Sequence, residues 1–268
     1  VNELVHTRAY LAAQRRGIVA RAIAAAIAGT LPLPFLDDWA IGAILGNGYR
    51  RIAAAHHVDL DDDAVRGLVH GTTPPPTWAD LAAGGIVARV AGRAAKRMLL
   101  AVATINRARS AARTFVAMTL FDHYCARLHT GLGLDGPTAL ALRDEIGRTI
   151  DNTPGALAFH PFRRGALSAA RATLRAPLEL ADLASAGALR RLLARRSEVT
   201  EAEAVDELEQ SIDAALAKEQ GFFGRTVAAV EVQLSAEANP FLDAALDSLD
   251  RRWRARVAAG LVPGRTTP

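Results

Sequence analysis

Apolar residues recur along this chain at helical spacing, and no stretch alternates apolar and polar over a strand's length. Asn2 is placed to cap a first helix from about Glu3 to Gly29, whose second half, Gly17 to Ala28, is apolar apart from Arg21. Thr30-Leu31-Pro32-Leu33-Pro34-Phe35-Leu36-Asp37-Asp38 follows. Two prolines one residue apart stop a helix, because each lacks an amide donor and restricts the residue before it. Asp37 or Asp38 then caps a second helix through Trp39, Ile41, Ile44, Leu45, Tyr49 and Ile52. The pattern predicts an apolar helical hairpin whose elbow is Pro32, Pro34 and Asp37.

Downstream the punctuation is as clear. Asp59-Leu60-Asp61-Asp62-Asp63 opens a short helix from Asp61 to Val69, and Gly71-Thr72-Thr73-Pro74-Pro75-Pro76 is a linker. Thr77 and Asp80 form a capping box before a long helix from about Trp78 to Leu100, extending towards Leu128 across a break. Gly131 to Gly133 ends that region. Asp135-Gly136-Pro137 starts a helix to about Ile150, and Asp151 to Gly155 interrupts again. A helical run from Gly165 to Arg196 is broken at Pro177. Thr200 and Glu203 form another capping box, ahead of a stripe of Val205, Leu208, Ile212 and Leu216 that Gly221 closes. Asn239-Pro240 opens a last helix with Leu242, Leu246, Leu249 and Trp253 on one face, before a frayed tail.

The fold class is therefore all-α, a bundle of about eight to ten helices. The expected regions are the hairpin over 1–73, an Arg-rich part over 77–150, C-terminal helices over 151–260 and the tail over 261–268. Tyr49 to Val69 and Tyr124 to Ile146 follow a similar course, from an aromatic-led helix end through a Leu-Asp pair into a short helix. Ala-rich helices align easily, so composition suffices to explain this echo.

Composition sharpens the picture. Half of the 268 residues are hydrophobic but only 5% are aromatic, so the core must be Ala, Leu and Val in close helix-on-helix contact. Only Lys96 and Lys218 among 32 basic residues are lysines, the pattern of a GC-rich bacterial genome. The formal net charge is only +4. Cys125 stands alone, which excludes an intramolecular disulfide and a thiolate zinc cluster. The start, Val1-Asn2-Glu3-Leu4, lacks the basic and apolar regions of a secretory signal, so a cytoplasmic location is expected.

A spanning helix needs about 20 mostly apolar residues. Gly17 to Leu36 contains Arg21 and two prolines, and Leu81 to Ile105 is interrupted by Arg89, Arg93, Lys96 and Arg97. Neither is a clean span. An interfacial hairpin fits the same pattern, its apolar limbs buried and its arginines snorkelling to anionic headgroups, as does the core of a soluble bundle.

The stretch from Ile18 to Val69 resembles a bacterial domain family of unknown function, found in the inner-membrane protein YcjF and in extensions of some bacterial GTPases. Pro32-Leu33-Pro34-Phe35-Leu36-Asp37 is its elbow, and Arg51-Ile52-Ala53-Ala54, Val58-Asp59-Leu60 and Ala64-Val65 supply the rest. Phe35 and His57 stand where the family usually has glycine. The resemblance implies membrane association and helical hairpins on the cytoplasmic side, and no reaction.

Five constellations bear on chemistry. Asp59, Asp61 and Asp63 start like an EF-hand, but Ala64 and His70 replace the required Gly and Glu, so helix capping is the expected role. Asp122, Cys125 and His129 share a helix face and are the residues a divalent metal would use, with burial of a lone cysteine as the simpler reading. Gly42, Gly46 and Gly48 lack the Lys-Ser/Thr of a phosphate loop and suit close helix approach. His56 and His57 diverge at a solvated helix end. The arginines lack interleaved aromatics and a helix-turn-helix, which speaks against a nucleic-acid partner, and the acidic helix from Glu201 to Glu219 offers them an internal one.

The sequence points first to a non-enzymatic, membrane-associated accessory protein, with Trp39 as interfacial anchor, no cofactor, and a membrane surface or membrane protein as partner. The alternatives are a soluble helical scaffold for protein–protein interaction and a metal-dependent enzyme built on residues 122–129.

Overall fold

In a computed structural model, the described residues are 10–28, 36–75, 77, 96–153, 155, 195, 198–218, 221–236 and 240–262. They form helices α1 (Tyr10–Ala28), α2 (Leu36–Ala55), α3 (Asp62–His70), α4 (Lys96–Arg127), α5 (Gly136–Asn152), α6 (Glu201–Ala217), α7 (Phe222–Ala236) and α8 (Pro240–Ala258), with two-residue strands β1 (Asp59–Leu60) and β2 (Gly133–Leu134). The protein is all-α, its helices packed against one another. Pro32 and Pro34 lie outside the described residues, as do Asp80 of the first capping box and the expected run from Gly165 to Pro177.

α1 is the central element. Every residue from Ile18 to Ala25 is at most 8% exposed. A helix apolar on all sides must be surrounded, and α1 is packed by α2, α4, α6 and α7. The apolar limb expected to seek lipid is thus covered by the protein's own helices. Among the described residues, no helix is long and apolar enough to cross a membrane.

α2 begins at Leu36, which puts the backbone of Asp37 and Asp38 in its first turn. Its inward face is Trp39, Ala40, Ile44, Tyr49, Ile52 and Ala53. Trp39 is 3% exposed. A buried indole cannot sit at headgroup level, so Trp39 is a core side chain here and not the expected interfacial anchor.

At Gly48 the α2 backbone lies against side chains of α1 and α4. A Cβ there would lie 2.8 Å from Arg21 Cδ and would also strike Met118 Cε of α4. At Gly42 a Cβ would meet His70 Nε2 at 2.8 Å, so this glycine lets α3 fold back on α2.

Two helix–strand–helix units, α2–β1–α3 and α4–β2–α5, meet through a parallel ladder pairing Asp59 with Gly133 and Leu60 with Leu134. The capping chemistry repeats. Asp61 accepts from Ala64 N at 2.5 Å to start α3, and Asp135 accepts from Thr138 N at 2.8 Å to start α5. The sequence echo is therefore a shared local structure. The strands are too short to carry a period-two pattern, which is why they are not legible in the sequence.

α6 starts with the predicted capping box of Thr200 and Glu203 and buries Leu208 and Ile212 of its predicted stripe. α8 buries Leu246, Leu249 and Trp253. α7 was not anticipated, although its buried Phe223, Val227 and Val230 have helical spacing. One contiguous core cluster runs from Leu11 to Val262 and includes side chains from α1 to α8.

Candidate functional site

Charged and polar side chains inside the protein fasten helices together. Arg21, 4% exposed in the middle of α1, meets Glu209 of α6 through two hydrogen bonds, Nε to Oε1 at 3.3 Å and Nη2 to Oε2 at 2.7 Å. Arg51 of α2 joins them, 3.4 Å from Glu209 and 2.5 Å from Asp213. The acidic helix thus neutralises Arg21 and Arg51 of the apolar hairpin, while Arg50 pairs with Asp62 of α3. Of its expected partners from Arg89 to Arg113, Arg89, Arg93 and the side chains of Arg97 and Arg107 lie outside the described residues, and Arg113 pairs instead with Asp151 of α5 at 2.8 Å. Glu145 of α5, itself buried, accepts from Arg252 Nε at 3.0 Å and Arg256 Nη1 at 2.9 Å, tying α5 to α8.

The 122–129 segment separates in space. Asp122 is fully buried and its Oδ1 lies 2.6 Å from His56 Nε2, so His56 is a tether between α2 and α4 and not a solvated helix end. Burial pushes the Asp122 carboxyl above its ordinary value, opposed by the hydrogen bond and charge of His56 and by the charge of His123. Asp122 Oδ2 is buried without a protein hydrogen-bond partner.

His123 bridges helices too, with Nε2 2.7 Å from Asp250 Oδ1 of α8 and Nδ1 hydrogen-bonded to the Tyr10 hydroxyl of α1. Cys125 is buried, and desolvation, reinforced by the Asp122 charge, pushes its thiol well above the usual range. A group held as the neutral thiol is a poor nucleophile and a poor metal ligand. His129 turns away, its Nδ1 3.3 Å from the Tyr124 hydroxyl. Among the described residues, no group of three or more His, Cys, Asp or Glu side chains is arranged to hold a metal ion. Asp122, Cys125 and His129 do not converge, because Asp122 is drawn to the end of α2 while His129 lies beyond the last turn of α4.

The described surface opens instead at the junction of the two helix–strand–helix units. A pocket of about 400 Å³ lies between the β1–β2 ladder, the end of α4, the start of α5 and α8. Its floor is aromatic: Tyr124 and Trp253 are each 3% exposed and meet edge to face at 5.1 Å. His129 lines it beside Tyr124, and Asp59, Asp61 and Asp135 line it from exposed positions. Leu132 and Leu261, each one residue before a lining residue, are 87% and 62% exposed.

The sequence offered Asp59 and Asp61 as the start of a calcium loop or, preferably, as helix caps, Asp135 as a helix start and Trp253 as core. The ladder that joins them is formed by residues far apart in the chain and has no local signal.

No protein-family model, curated protein or solved structure matches this chain.

Proposed function

We propose that this chain is a non-enzymatic helical scaffold that docks a partner protein at the pocket between its two helix–strand–helix units. The observation that carries this reading is the pocket itself, a concavity that reaches the buried pair Tyr124 and Trp253 and lies one residue from each of two exposed leucines. Exposed leucines beside a concavity supply an apolar rim that a partner can cover. The buried ionisable groups support it as well, since they tie α1 to α6, α2 to α4 and α5 to α8.

A photo-crosslinking residue at Leu132 or Leu261, introduced in the native host, tests this. One discrete protein adduct common to both positions is expected. Adducts to lipid alone, or none from either position, reject it.

Attachment to the cytoplasmic face of an inner membrane is a second reading. It draws on the likeness of residues 18–69 to the YcjF-like domains and on the exposed Leu132, Val232 and Leu261. Flotation with phosphatidylglycerol vesicles separates the two: co-flotation supports the membrane reading, and protein left at the bottom of the gradient removes it.

A further inference from the structure

We infer that the last turn of α3 is a proton-operated latch: the uncharged imidazole of His70 seats it against α2, and protonation of that ring in mildly acidic solution releases it.

Packing sets up the contact. His70 is the final residue of α3, and its ring lies on the α2 backbone where Gly42 leaves room. A Cβ on Gly42 would come within 2.8 Å of Nε2 and 2.9 Å of Cε1. The rest of α3 has other anchors, the Asp61 cap at its start and Leu140 of α5 against Gly67. Beside the ring the helices part. A groove of about 230 Å³ between α2, α3 and α6 has His70, Val69 and Trp39 in its walls. It gives a displaced ring room to move without disturbing the core.

Charge decides which form of the ring fits. An imidazolium brings a second N–H donor and a full positive charge that the neutral ring lacks. The Arg143 guanidinium of α5 lies against Gly71, the next residue in the chain, where an added Cβ would overlap Nη1. Asp38 of α2, Glu201 of α6 across the groove and the negative end of the α3 dipole favour a cation. The other charged groups of the groove are paired, Arg50 with Asp62 and Arg66 with Asp63. Burial of the ring, reinforced by the Arg143 charge and opposed by Asp38, holds His70 below the usual histidine value.

The sign follows. A histidine that binds its proton less well when seated stabilises the seated turn above pH 6.5, and that contribution is lost as the pH falls below 6.5. Opening of the last turn is a local event, since neither the cap of α3 nor its packing on α5 involves the ring.

Amide exchange of the whole chain followed by NMR tests this, with each rate divided by the unfolded-chain rate at the same pH. Between about pH 7.5 and about pH 5.5, protection from Leu68 to Gly71 should fall several-fold while α6 and α8 keep theirs. His70→Gln carries no charge at either pH and should abolish the fall. No fall, an equal fall in His70→Gln, or a fall shared by every helix would each overturn the inference. Titration of the ring itself covers the case in which the variant folds poorly. A His70 midpoint below 6.5 in the unaltered protein supports the latch, and one at or above 6.5 overturns it.

Discussion

At the scale of the residue, two positions show how a side chain can work against its surroundings. His57 closes α2 with φ of 57°, in the left-handed region where a Cβ crowds the following carbonyl. His57→Gly should stabilise the protein by about 1 kcal/mol, read as a higher urea midpoint at unchanged slope. Tyr49 is the second. Its hydroxyl is buried in the core, and desolvation, with the Arg143 charge opposing, pushes its pKa from 10.0 to about 12. A raised folded value means that this contribution to stability is intact below pH 10.0 and is lost as pH rises through about 12. Tyr49→Phe cannot ionise. Denaturation across that window should show wild type losing about 3 kcal/mol relative to the Phe variant; parallel curves would show that the phenol is solvated.

At the scale of the element, helix starts follow local chemistry. Asp61, Thr200 and Asp135 each accept from an amide of the following turn, at positions legible in the chain. Helix contacts depend on what is missing from the side chain. Gly48 sits where α2 crosses Arg21 and Met118, and an added methyl would overlap both. Gly48→Ala should cost about 1–3 kcal/mol although alanine is the better helix former, so packing outweighs propensity. Equal or greater thermal stability in the alanine variant would show that the Met118 and Arg21 side chains move aside. The sequence marked Gly42, Gly46 and Gly48 as sites of close approach. It did not say that the approaching groups come from α1, α3 and α4.

At the scale of the whole molecule, one buried ion pair holds the amino-terminal hairpin to the carboxy-terminal half. Arg21 and Glu209 are 5% and 8% exposed at their side chains and are far apart in sequence. Burying a charge costs several kcal/mol unless it is met, so the pair is weak as a net source of stability and strong as a constraint on which helices dock. Arg21→Met should therefore destabilise by about 3–5 kcal/mol, because Glu209 is left buried with Arg51 alone. Adding Glu209→Leu should recover most of that loss in chemical denaturation, since no uncompensated charge then remains inside. A double variant no better than Arg21→Met alone would show that packing of the arginine stem dominates.

The sequence by itself determined the class of this protein, because helical spacing, caps and proline breaks are properties of a few neighbouring residues. It also marked Asp61, Asp135 and the Thr200–Glu203 box as helix starts, and the stripes of α6 and α8. It left α1 open between lipid and a helical core, made Trp39 an anchor and put Asp122, Cys125 and His129 on one helix face. Tertiary structure buries α1 and Trp39 and gives the other three separate surroundings. Hydrophobicity is non-directional and does not distinguish a side chain bound for lipid from one bound for a neighbouring helix. Shared helix face is a weaker constraint than the partner each side chain finds: Glu209 for Arg21, His56 for Asp122 and Tyr124 for His129. The pocket belongs wholly to that level, since it exists only where β1 and β2 meet.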